Sequence, residues 1–180
     1  ICVALTEEAR MRLSEAFAAR EIRKEYLALV QGVPAPAGTV DAPLGRHPTV
    51  KVKVAVVKNG KEARSEWRVL HKGQGYSLLG VRIFTGRTHQ IRVHMKYIGH
   101  TLFNDERYGG HDILKGTTFT KYKQFVQNCF AICPRQALHA KTLGFVHPTT
   151  GEEMFFDSEI PSDMQQLIDR WRVYANTKEL

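Results

Sequence analysis

The sequence predicts an α+β domain, a mixed, mainly antiparallel β-sheet with helices on its flanks. Three observations carry this expectation. Short β-prone runs at 26–30, 50–56, 62–70 and 76–83 follow one another, each bounded by Gly, Pro or Asn, which is the pattern of a meander. Helical spacing marks 6–19, 88–98 and the stretch beginning at Pro161. With 180 residues, 43% of them hydrophobic, and no internal repeat or interdomain linker, the chain suffices for one core, so 1–180 reads as one domain.

Taken in order, Ile1 to Leu5 form an apolar run that predicts a strand, and such a run needs neighbours on both faces. Thr6 with Glu7 and Glu8 supplies an N-cap and first-turn acids, and Ala9, Leu13, Ala16 and Phe17 build one apolar stripe to about Ala19. A strand over 26–30 is closed by Gly32, Pro34 and Pro36, and the segment to Pro48 reads as loop. Val50, Val52, Val54 and Val56 alternate with Lys51, Lys53 and Ala55, predicting a strand with valines inward and lysines in solvent. Asn59-Gly60 predicts a hairpin turn through its tolerance of positive φ, leading into the strands at 62–70 and 76–83. Ile91, Met95 and Ile98 share a helical face that Gly99 ends. Residues 100–134 read as a long irregular loop. Phe145 and 154–156 flank a last hairpin, and Pro161 opens the final helix.

Composition narrows the function. Lys and Arg total 26 against 18 Asp and Glu, a net charge of +8 that favours a polyanionic partner, with nucleic acid first. An anionic membrane would suit the charge, but no apolar run approaches 18 residues and no basic amphipathic helix carries an aromatic face. Three cysteines, Cys2, Cys129 and Cys133, lack framework spacing and predict free thiols in the cytoplasm. Cys129, Cys133 and His139 lack a fourth ligand for zinc, and none of the eight histidines has recognisable ligand spacing, so no metal is expected. Nothing in the chain demands a second subunit, and a monomer is expected.

The most specific stretch runs from Arg82 through Thr85-Gly86-Arg87-Thr88-His89-Gln90-Ile91-Arg92 to His94, where a strand passes through a Gly turn into a helix. Such a turn aims a side chain across the end of a strand, beside the positive end of a helix dipole. Arg87 is placed to hold a phosphate or a carboxylate, since guanidinium matches either in bidentate geometry. Three further stretches follow in order: Lys24-Glu25-Tyr26-Leu27-Ala28; Gly99-His100-Thr101-Leu102 with Asn104-Asp105 and Tyr108-Gly109; and Arg135 to Ala140 with Phe145, His147-Pro148 and Thr150-Gly151. Together with the Thr85–His94 motif, these resemble the RluA-type pseudouridine synthases over nearly the whole chain.

The resemblance implies the pseudouridine synthase catalytic fold and an isomerisation of uridine in rRNA or tRNA that needs no metal and no organic cofactor. Tyr26 is similar to the family tyrosine that stacks on the extruded uracil, a role suited to a flat ring with a polar tip. Arg87 is similar to the arginine that pairs with the catalytic aspartate and keeps it ionised. These two are the catalytic candidates; Thr85, Gly86, His89, Gln90, Arg92 and Leu138 are the substrate-binding ones. The family's nucleophile sits in an Arg-Leu-Asp motif just before a strand resembling residues 1–5, whereas the first aspartate here is Asp41, in a different local pattern. The motif is therefore expected upstream of residue 1, which makes these residues an incomplete, inactive domain on their own.

Two other classes compete. A non-catalytic RNA-binding module or RNA chaperone would keep the basic cleft without the aspartate. An RNA-cleaving enzyme would use His89, His94 and Asp105, although His89 and His94 stand five apart, off a shared helical face. Taken singly, Arg87 reads as a surface cation and Tyr26 as an ordinary sheet residue; their motifs single them out. Lys51, Lys53, Lys58 and Lys61 read first as a solvated face and second as RNA-phosphate contacts.

Overall fold

A computed structural model describes residues 2–73, 75–112 and 120–177. Its organising element is strand β1 (Arg23–Gln31), in which Leu27, Ala28, Leu29 and Val30 are all buried. Consecutive apolar residues suit a strand covered on both faces, and β1 lies inside the sheet. The strands β2 (Ala37–Asp41), β5 (Arg64–Lys72), β6 (Tyr76–Ile83), β7 (Leu138–Val146) and β8 (Glu153–Asp157) complete the order β2-β5-β6-β1-β7-β8, and every pairing is antiparallel. Ala28 lies opposite Leu79 on one side and Leu138 on the other. The β1–β7 register shifts between Glu25 and Tyr26, a bulge of the kind that re-aims a side chain.

Each face of this sheet has its own core. On one, Ala28, Val30, Leu79, Val81 and Ile83 pack beneath Ile91 and Met95 of helix α2 (Gln90–Tyr97). On the other, Leu27, Leu29, Tyr76 and Leu78 meet helices α3 (Thr120–Ile132) and α4 (Ser162–Thr177) through Val126, Cys129, Phe130, Met164, Leu167 and Trp171. Phe103, with no exposed surface, stands edge-on to Tyr76 and Trp171 and 4.8 Å from the Phe130 ring. A two-stranded ribbon, β3 (Leu44–Arg46) with β4 (Val54–Val56), brings Leu44, Val54 and Val56 into a third small core with Val93 and Tyr108.

Much of this agrees with the sequence reading. Helix α1 (Glu7–Ala18) starts where expected, with the Thr6 hydroxyl accepting from the Ala9 amide at 3.2 Å, although only Leu13 of its stripe is buried and Phe17 is exposed. Gly99, at φ +83°, follows α2, and α4 begins one residue after Pro161, whose carbonyl accepts from Gln165.

Five expectations are corrected. Residues 2–5 form no strand, since no partner among the described residues pairs with them, and Val3 and Leu5 are exposed. The alternating valines give only β4; Val50 and Val52 lie outside it on the surface, because the narrow ribbon has one small apolar face to cover. Asn59-Gly60 does turn, but neither residue has positive φ and the turn does not join two strands of the main sheet. Gly60 is required instead by close approach: a Cβ there would lie 2.6–2.8 Å from the Leu44 backbone. The segment read as loop from 100 to 134 contains α3, whose Tyr122, Phe125, Val126, Cys129 and Phe130 recur at helical spacing; residues 113–119 of that segment lie outside the described ones. The loop-rich stretch before Pro48 likewise holds β2 and β3.

The aromatic cluster sets a stability expectation. Phe103→Ala is expected to lower unfolding free energy by about 3–5 kcal/mol, read as a reduced urea midpoint with an unchanged slope.

Candidate active site

The site is built from the turn between β6 and α2. After Ile83 the Phe84 amide still donates to the Arg64 carbonyl of β5, at 3.1 Å, and Thr85 is buried. The turn is then closed by one side chain. The Gln90 carboxamide oxygen accepts from the Thr85 hydroxyl at 2.7 Å and from the Arg87 amide at 3.0 Å, and its nitrogen donates to the Arg64 carbonyl at 2.9 Å and the Ser65 hydroxyl at 3.0 Å. Gln90 is 3% exposed, so these four bonds form away from water, where leaving any of them unmade is costly. The residue with left-handed backbone is His89, at φ +55°, and not Gly86 as the expected glycine turn implied. Histidine tolerates this region better than most side chains, and the turn supplies the contacts that hold it there.

Arg87 projects from the outside of this turn, its Nε donating to the Glu62 carbonyl at 2.9 Å. It lines a hollow of about 340 Å³ together with Tyr26, His89, Gln90, Arg92 and Leu138, floored by Ile83 and Ile91 and edged by Gln136. Six of the eight residues singled out from sequence therefore meet at one place. Gly86 lines an adjoining hollow of about 260 Å³, with Arg87, Thr88 and Lys61. Thr85 lies beneath the turn and lines neither.

Tyr26 reaches the hollow from β1 opposite the β7 bulge at Lys141, half-buried, and desolvation pushes its phenol pKa up, so at neutral pH it presents an uncharged ring. Arg92 lines the wall but is committed elsewhere. Its Nε and one terminal nitrogen donate to the two carboxylate oxygens of Asp105 at 2.8 and 2.7 Å, and that bonding raises its pKa further. Burial, then Arg92 and Arg107, lower the pKa of His89 against an opposing pull from Asp105.

The RNA-cleaving set is not brought together. His94 is fully buried, with Nδ1 2.9 Å from the Ser65 hydroxyl and Nε2 3.0 Å from the Ala42 carbonyl, while Asp105 is held by Arg92. Cys129 and Cys133 lie in the core, and burial pushes Cys129 up to about 12. His139 is half-buried beside Ser158, and among the described residues no group of three potential ligands could hold a metal ion. Gln136 was not singled out from the sequence, where it stood only as part of the Arg135–Ala140 motif. Tyr108, which bonds His89, was visible only as part of a motif.

A strand-to-helix turn bearing an outward arginine, facing a sheet tyrosine across a hollow and set on an antiparallel sheet, defines a class. The chain belongs to the RNA pseudouridylate synthase family, whose model matches residues 1–97. It is 41% identical over 172 residues to the ribosomal large subunit pseudouridine synthase D of Nitrosomonas europaea, covering 96% of this chain and 47% of that protein. It is 39% identical over 184 residues to an uncharacterized RNA pseudouridine synthase of Chlorobaculum parvum, covering 99% and 56%. The chain thus spans about half the length of the curated relatives it matches. Among solved structures, human RNA pseudouridylate synthase domain containing 4 superposes with a TM-score of 0.71 at 25% identity, covering 93% of this chain and 69% of that one. The antiparallel sheet with flanking helices is the expected fold.

Two measurements follow. Gln90→Leu removes all four bonds of the turn while keeping its bulk, and a loss of about 2–3 kcal/mol in unfolding free energy is expected. In the second, the burial that lowers the His94 pKa outweighs the raising pulls of the Ala42 carbonyl and Asp41. The unfolded chain then binds the proton more readily than the folded one. This contribution to stability is complete above about pH 6.5 and declines as pH falls toward the folded value. The urea midpoint should drop below that pH, with a shallower slope in His94→Gln.

Proposed function

We propose that this chain is the larger part of a catalytic domain that isomerises uridine to pseudouridine in large-subunit ribosomal RNA. The observation that carries this reading is the meeting of Tyr26 and Arg87 at a single hollow, with Leu138 on its wall. In this reading the target uridine leaves its stack, at a cost of a few kcal/mol that protein contacts offset. The Tyr26 ring stacks on the extruded base; stacking of this kind contributes about 1–3 kcal/mol. Arg87 holds the nucleophilic carboxylate ionised, as an opposite charge within contact distance does. That carboxylate belongs to an aspartate of the Arg-Leu-Asp motif, which no aspartate of these 180 residues matches. The uracil is detached from C1′, turned, and rejoined through C5, with no metal and no organic cofactor. Ribosomal RNA is preferred over tRNA because relatives such as that of Nitrosomonas europaea are named for the large ribosomal subunit, and the net charge of +8 suits either. The place of action is the cytoplasm.

The test is to incubate the natural gene product with unmodified ribosomal RNA and map pseudouridine by selective chemical labelling and primer extension. Arg87→Ala is expected to slow modification on the order of 10²-fold. Tyr26→Phe, which keeps the ring, should retain most activity, and Tyr26→Ala should lose most of it. A gene product that binds the RNA but leaves every uridine unmodified would establish the binding-module alternative instead.

A further inference from the structure

The geometry points to Tyr108 as a positioning residue that fixes His89 as a neutral Nε2–H donor to an oxygen acceptor of the nucleotide in the hollow. This inference rests on the proposed function for the identity of the ligand, but not for the state of the imidazole.

Tyr108 is 2% exposed and held on three sides. Its amide donates to Asp105 Oδ1 at 3.2 Å, the Arg92 guanidinium lies 4.9 Å from its ring centre, and its ring stands edge-on to that of His89 at 5.6 Å. Its hydroxyl has two partners: the Val54 amide of the ribbon at 3.2 Å and His89 Nδ1 at 2.8 Å.

Proton bookkeeping then selects one arrangement. The Val54 N–H can only donate, so it occupies a lone pair of the phenol oxygen. The phenol still has its own proton to place, and His89 Nδ1 is the partner that can accept it. Were Nδ1 protonated, the hydroxyl would receive two donors and its own hydrogen would have no acceptor among the described residues, a costly state in a buried site. His89 Nδ1 is therefore an acceptor, and in a neutral imidazole the proton is on Nε2. Burial and the neighbouring Arg92 and Arg107 favour this neutral ring. The two ring nitrogens lie on different edges, so engaging Nδ1 with Tyr108 turns Nε2 away from it. His89 lines the hollow with Tyr26 and Arg87, and Nε2 has no partner among the described residues. The left-handed backbone at φ +55° fixes the ring's root at this wall.

The arrangement is tested by long-range ¹H–¹⁵N correlation on the chain labelled with ¹⁵N-histidine at pH 7.5, with His89 assigned by its loss in His89→Gln. The wild-type ring should show Nε2–H and unprotonated Nδ1; a ring protonated on Nδ1, or on both nitrogens, overturns the proposal whatever any variant does. Tyr108→Phe keeps both ring contacts and is expected to give a mixture of tautomers. In the natural gene product it should lower kcat/KM for pseudouridine formation about tenfold. In a His89→Gln background, whose amide donor needs no tautomeric choice, the same substitution should cost less than twofold. Equal losses in both backgrounds overturn the coupling of Tyr108 to His89. Because the spectrum is read without RNA, failure of the catalytic reading leaves the tautomer result standing as a separate finding.

Discussion

The site depends on one carboxamide. Gln90 reaches back from the first turn of α2 to tie Thr85, the Arg87 amide, Arg64 and Ser65 into a single arrangement. A primary amide suits this place because it offers two donors and an acceptor with two lone pairs, and all four capacities are used. A carboxylate would lack the donors and a lysine the acceptors. The direction of Arg87 follows, since its backbone is bonded to the same oxygen that fixes Thr85. Loops position functional groups well only when a rigid scaffold holds them, and here the scaffold is β5, reached through the Gln90 carboxamide, the Thr85 hydroxyl and the Phe84 amide.

That scaffold is itself dictated by β1. Its unbroken apolar run draws α2 to one face and α3 with α4 to the other, and the hollow forms beside the α2 core at the β6–α2 turn. Ile83 and Ile91 belong both to that core and to the floor of the hollow, so packing and site are physically continuous. The β-bulge beside Tyr26 adds the remaining adjustment. Without it, strict alternation against β7 would carry a different residue opposite Ala140.

The parts of this arrangement legible in sequence are those with local causes. Thr6 caps α1, Gly99 stops α2 and the apolar run of β1 sets its central place, because each effect operates within a few residues. Arg87 and Tyr26 were found through short motifs, although they stand on different elements. What escaped notice needed distant partners. The positive φ fell on His89 and not on the obvious glycine, since the Gln90 bonds shape the turn from within. Gly60 proved necessary for its approach to Leu44, sixteen residues earlier in the chain, and for no angle of its own. The alternating valines misled because alternation gives a face, while the extent of a strand is set by what remains to be covered. Helix α3 was hidden in a segment judged by its glycines and polar residues, and its apolar spacing carried the correct signal.

Two arginines on one wall show how chemically equal groups receive different work. Arg92 faces Asp105 with side-chain exposures of 12% and 0%, and at that depth an unpaired charge of either sign would be severely destabilising. The pair also anchors the short 3-10 helix Glu106–Tyr108, because Asp105 accepts from the Tyr108 amide. Arg92 is thereby neutralised locally and gives the hollow shape more than field. Arg87 differs on both counts. It is exposed, and among the described residues its guanidinium is engaged only by the Glu62 carbonyl and no carboxylate pairs with it. A carbonyl fixes the orientation of a guanidinium without cancelling its charge, so Arg87 keeps its positive charge at the mouth of the hollow. The division follows from depth alone: the buried cation must be compensated inside the protein, and the outer one remains able to hold an anion brought to it.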